Sequence, residues 1–215
     1  MIRIRVGLIP HELGELAILN LLDLSKNNLT SMIPTSIATR CLNLTNLDLS
    51  SIRLNGEIPP ELGTDSNAQG CKVARNQLDR PDTRYSRTLS TSHGSDCLGS
   101  CTNLTVLEFA NNLLSDPTTS SLGNLMNMGR LDVKSNQCTG IIPPEFGQLR
   151  QVSVIYIEYI PSGSIPSRIQ LHFHSYALLV LKRDASSPYA IQQNQNNSDR
   201  MGPFAFLDDN ALRKD

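Results

Sequence analysis

A chain of 215 residues with 39% apolar side chains is long enough to build a sizeable packed core. Its formal charge of −1 supplies no basic field for a nucleic-acid backbone or an anionic bilayer, and no run of eighteen apolar residues offers a membrane-spanning helix. Five cysteines is an odd number, so they cannot all pair within one chain.

From the start, residues Met1 to Pro10 carry arginines at positions 3 and 5 without the apolar stretch or the small-residue cleavage site of a secretion signal. They close on Gly7-Leu8-Ile9-Pro10, and this Gly-x-Ile-Pro tetrapeptide returns at Gly56 to Pro59, Gly140 to Pro143 and Gly163 to Pro166. Ser31-Met32-Ile33-Pro34 is a copy in which serine stands for glycine. Between the first two Ile-Pro pairs lies one unit of 24 residues, Leu13-Gly14-x-Leu16-x-x-Leu19-x-x-Leu22-Asp23-Leu24-Ser25-x-Asn27-x-Leu29. Stepping along the chain, the apolar pair Leu22/Leu24 recurs at Leu47/Leu49 and Cys71/Val73, then after 36 residues at Leu107/Phe109. Steps of 24 follow to Leu131/Val133, Ile155/Ile157 and Leu179/Leu181. About seven irregular repeats therefore span residues 1–184, with an insertion of about twelve residues.

The spacing has a direct physical meaning. Two apolar residues two apart on an extended strand point to the same face, and those beside them point away. A single such strand cannot bury its apolar side, so the units must stack into a parallel sheet over a continuous core. Asn27, Asn76, Asn112 and Asn136 fall just after the strand, where the chain turns inward and a side-chain amide can replace lost ladder bonds. Glycine then frees the backbone, and proline starts the return on the far side.

These motifs, Leu-Asp-Leu-Ser-x-Asn-x-Leu-Thr followed by Gly-x-Ile-Pro-x-x-Leu-Gly, resemble the plant-type leucine-rich repeat of receptor-like kinase and receptor-like protein ectodomains and of secreted polygalacturonase inhibitors. The resemblance implies an α/β solenoid, with a curved parallel β-sheet on the concave face and 3₁₀ or irregular segments on the convex side. It covers residues 7 to about 166, and runs to 184 when the last unit is counted. Ile52 and Ile160 depart from it at the asparagine position, Cys138 replaces a leucine, and neither end shows the capping cysteines of the family.

Residues 79–97 are polar and lack repeat leucines apart from Leu89. They read as a loop leaving the solenoid, either a decayed repeat, the plainer account, or a ligand-contacting loop. The tail, residues 185–215, is Asn/Gln-rich and reads as disordered.

Candidate chemistry is sparse. Cys41, Cys71, Cys101 and Cys138 fall where small buried hydrophobes fit, with a Cys97 to Cys101 bridge as the exception to packing thiols. His172-x-His174 could place two imidazoles on one strand face but has no third ligand, and no phosphate loop, nucleophile elbow or kinase motif occurs. No catalytic residue, cofactor or metal is expected. Asp23, Asp48, Glu108 and Asp132 recur between the strand leucines and read as a solvated acidic column, not an acid/base pair.

The outward ribbon of the strands is the expected binding face for a protein, peptide or small-molecule ligand, through Lys72, Arg75, Glu108, Arg130, Asp132, Lys134, Tyr156, Glu158 and Tyr159. Sequons make Asn28, Asn43, Asn103 and Asn196 glycosylation candidates. By resemblance the chain is a receptor-like ectodomain in signalling or defence, extracellular or at the cell surface, with any membrane contact made through segments outside this sequence. A secreted inhibitor of a cell-wall hydrolase and an intracellular scaffold or degenerate remnant are the alternatives, the last leaving the chain cytoplasmic.

Overall fold

The computed structural model describes residues 6–63, 67–78, 101–114, 120–137, 142–158 and 178–182, with only the backbone given for Gly63, Glu158 and 178–182. The alternating pairs found in the sequence form one parallel sheet. Its strands are β2 (Leu21–Asp23), β4 (Asn46–Asp48), β6 (Gly70–Lys72), β8 (Val106–Glu108), β9 (Arg130–Asp132), β10 (Val154–Glu158) and β11 (Leu178–Lys182), in that spatial order. Leu22, Leu47, Cys71, Leu107, Leu131, Ile155 and Leu179 are register partners from strand to strand. The 36-residue step between Cys71 and Leu107 thus keeps the same register as the 24-residue steps. Extra chain accommodated outside a strand pairing costs the pairing nothing.

The second apolar residue of each pair is sealed inside: Leu24, Leu49, Val73, Phe109, Val133 and Ile157 are all buried. They belong to one continuous cluster that runs the length of the stack. Burying residues of this size contributes roughly 1.5–3 kcal/mol each, which no isolated three-residue strand could collect.

Behind this sheet stands a second one, β1 (Val6–Leu8), β3 (Asn28–Ser31), β5 (Arg53–Gly56) and β7 (Gln77–Leu78), again parallel and in chain order. The expectation of only 3₁₀ or irregular structure there was incomplete. β3, β5 and β7 each bury one leucine, at Leu29, Leu54 and Leu78, and successive repeats bring these short segments into ladder distance. One inward residue per unit is too brief a pattern to announce a strand by alternation. The remainder of the back is as expected, with 3₁₀ helices His11–Glu15, Pro60–Gly63, Ser120–Asn124 and Pro144–Gln148 and one short α-helix, α1 (Thr35–Arg40).

The asparagines form an internal ladder between the two sheets. Asn76 Nδ2 donates to the carbonyls of Val73 at 2.9 Å and of Leu49, one repeat earlier, at 2.8 Å, while its Oδ1 accepts the Leu54 amide at 3.0 Å. Asn112 repeats the pattern with Phe109, Val73 and Leu78, and Asn136 with Val133, Phe109 and Leu114. Each amide therefore satisfies backbone groups of two repeats in a dry interior. At Ile52 the ladder has a gap, and the side chain is simply buried among leucines. The insertion at 79–97, the tail at 185–215, and Cys97, Cys138, His172 and His174 lie outside the described residues.

Candidate ligand-binding groove

Residues leaving β2, β4, β6, β8 and β9 enter a tight turn with one residue in the left-handed region: Lys26 (φ 56), Ser51 (φ 57), Arg75 (φ 59), Asn111 (φ 56) and Ser135 (φ 53). The recurring aspartates hold these turns. Asp23 Oδ1 accepts the Ser25 amide and Asp48 Oδ1 the Ser50 amide, both at 2.9 Å, and Asp132 Oδ1 accepts the Lys134 amide at 3.3 Å. The three aspartates of the acidic column are thus turn caps, a role that the expectation of a merely solvated column passed over.

Between the strand residues and the turns runs a groove of about 470 Å³ crossing the first five repeats. Lys72, Arg75, Glu108, Arg130, Asp132 and Lys134 line it together, as do Lys26 and Asn111, which the turn positions in the sequence already mark. Its C-terminal part holds a charge network. Arg130 Nε donates to Glu108 Oε1 at 2.9 Å, with Lys72 Nζ 3.9 Å from Glu108 Oε2. Asp132 lies 3.6 Å from Arg130 and 3.9 Å from Lys134. The Tyr156 ring adjoins both cations, 5.1 Å from the Arg130 guanidinium carbon and 4.8 Å from Lys134 Nζ.

Asp132 differs from the other aspartates in being buried, its side chain 7% exposed. Burial raises its carboxyl above the ordinary aspartate value, against the pull of Lys134 and Arg130 and with Glu108 adding to the rise. It lines the groove from beneath its neighbours, with its Oδ1 turned back to cap the Lys134 amide. Asp23, in the open, is lowered by hydrogen bonds from Ser25 and by the charges of Lys26 and Lys72. Of the remaining expected contacts, Glu158 is placed on β10 by its backbone and Tyr159 lies outside the described residues.

The leucine-rich repeat family model matches residues 19–39, 43–64 and 127–149. Among solved structures, the plant peptide hormone receptor RGFR1 in complex with RGF2 is 32% identical, covers 83% of this chain and superimposes with a TM-score of 0.72. The chain is a leucine-rich repeat protein of the plant type. It resembles receptor ectodomains: the Arabidopsis receptor kinase HAESA, solved with the peptide hormone IDA and the co-receptor SERK1, is 28% identical over 83% of the chain, TM-score 0.66. The GASSHO1 ectodomain of Arabidopsis thaliana, in complex with CASPARIAN STRIP INTEGRITY FACTOR 2, is 27% identical over 72%, TM-score 0.62. The chain spans 27%, 28% and 17% of these three in turn. No curated protein matches it.

Within this repeat protein Cys41, Cys71 and Cys101 pack as hydrophobes. Burial raises the Cys41 thiol, and pushes Cys71 up to about 12 with smaller contributions from Cys101 and Asp48. Cys41 Sγ and Cys101 Sγ donate to the carbonyls of Leu13 and Leu62, both at 3.3 Å. Among the described residues no group of three or more His, Cys, Asp or Glu is placed to hold a metal ion. Nor, among them, is any helix long and apolar enough to cross a membrane.

The sequons split in two. Asn28 lies on β3, on the second sheet. Asn43 and Asn103 occupy the exposed inter-repeat corner, where Asn43 Nδ2 donates to Ala17 O at 2.8 Å, and the Thr45 and Thr105 hydroxyls donate to Asn20 O and Gln69 O at 2.9 Å. Part of their recurrence is therefore structural. Asn196 lies outside the described residues.

Proposed function

We propose that repeats 1–184 form a binding module whose groove takes up a peptide or protein segment, within a receptor-like, extracellular protein of signalling or defence. The observation that carries this reading is the groove itself. It is polar, it crosses five repeats, and at its C-terminal end Arg130 adjoins Tyr156, residue types on which recognition energy concentrates. The similarity to ectodomains solved with peptide hormones supports a peptide as occupant. Binding is favoured over catalysis because the groove's carboxylates are spent on turn amides and ion pairs. Lys72, Arg75, Glu108, Arg130, Lys134 and Tyr156 form the contact surface, with Glu158 and Tyr159 as its proposed extension.

Panning a random dodecapeptide display library on the folded chain tests it. Arg130→Ala and Tyr156→Ala are each expected to weaken the selected peptides by roughly tenfold or more, the effect of losing a recognition hot spot. Selected peptides that bind both variants as tightly as the parent chain would place the binding surface elsewhere.

A further inference from the structure

Resting on that reading of the groove, we infer that its occupant is acidic where it crosses the first three repeats, presenting carboxylate side chains to Lys26 and Arg75. Every acidic group of the groove is already engaged. Glu108 is held by Arg130 and Lys72, and Asp132 by Arg130 and Lys134. Asp23 and Asp48 turn back to cap the Ser25 and Ser50 amides. Three of the groove's five cations, Lys72, Arg130 and Lys134, are thus in ion-pair contact with two of its own carboxylates. Among the described residues the other two, Lys26 and Arg75, have no carboxylate within ion-pair distance, and Lys26 acts on Asp23 only at longer range.

Their position argues for use by a ligand. Both occupy the left-handed turn slot that other repeats fill with Ser51, Asn111 and Ser135. Asparagine suits that backbone better than a long cation, so the turn itself has no need of lysine or arginine. The two slots are two strand spacings apart in the sheet, about 10 Å. Carboxylates three residues apart on a polyproline II segment, which turns once every three residues, lie on one face and span about the same distance. An occupant running along the groove can therefore meet both cations at once, since both are exposed.

The test again uses the dodecapeptide display library, panned on the parent chain and on the double variant Lys26→Asn/Arg75→Asn, which keeps the residue type the turns favour. Groove binders are those lost on Arg130→Ala or Tyr156→Ala. They are expected to be enriched in Asp and Glu, and to weaken about three- to tenfold on the double variant, as two partly exposed ion pairs would allow. Arg53→Asn on β5 is expected to leave them unchanged. Groove binders that are neutral or basic, or whose affinity the double variant leaves intact, overturn this inference while the groove reading stands. A library yielding no groove binder overturns both.

Discussion

Ser31 shows how far a single residue can stray from the repeat and what it costs. Gly56 turns its strand out of the second sheet at φ 74, and Ser31, at the matching place one repeat earlier, adopts φ 85 with a side chain that disfavours it. Ser31→Gly is therefore expected to stabilise the fold by about 1 kcal/mol, read as a higher urea midpoint; a lower one would mean that the hydroxyl or the loss of chain freedom matters more. The asparagines were legible in the sequence because one residue type recurs in phase. The turn-capping aspartates were visible as a column but not as caps, since spacing alone does not say whether a carboxylate looks outward or back at its own backbone.

The two perturbed aspartates give the charge prediction its sign. Asp132 has its folded-state value raised by burial, so its contribution to stability is present below the unfolded value of 3.8 and is lost as pH rises through the folded value. Asp23 is lowered, so its contribution is present above 3.8 and is lost as pH falls through the folded value. In urea titrations Asp132→Asn should exceed the parent at about pH 7 and converge on it near about pH 3, whereas Asp23→Asn should fall below the parent at about pH 7. Parallel behaviour of the two variants would refute the assignment.

At the scale of elements, the main sheet was legible and the second was not. Two inward residues per repeat, such as Leu47 and Leu49, define an alternation, whereas Leu54 alone defines none. The close packing between helices was also hidden, although the Leu-Gly pair that permits it was plain. A Cβ on Gly123 would lie 2.6 Å from the backbone oxygen of Glu145, where helix Ser120–Asn124 meets helix Pro144–Gln148; Gly14 meets Ser36 in the same way. Gly123→Ala should therefore cost about 1–3 kcal/mol, while Gly129→Ala, whose nearest neighbour would be Thr105 O at an ordinary 3.4 Å, should cost far less in the same thermal melt. Equal losses at the two glycines would mean that helix proximity is not what holds adjacent repeats apart.

For the whole molecule, the solenoid follows from the period, since repeats that pack only on their neighbours need nothing more than a common register. The stack from Leu22 to Leu179 could be counted out in the sequence, insertion included, because inserted chain changes the step and not the pairing. The groove could be placed but not drawn: which outward side chains pair with each other depends on distances across strands that one strand's sequence does not contain. Arg130 reaching back one repeat to Glu108 is such a case. The groove's role is the central claim. Hydroxyl-radical footprinting of the chain with and without a selected peptide addresses it most directly, because reactive side chains mark both surfaces. Tyr156 adjoins the groove, whereas the exposed Met32 lies beside the second sheet and the exposed Met126 behind the stack. The account predicts that bound peptide shields Tyr156 and leaves Met32 and Met126 as reactive as before; shielding of Met32 with Tyr156 unchanged would contradict it.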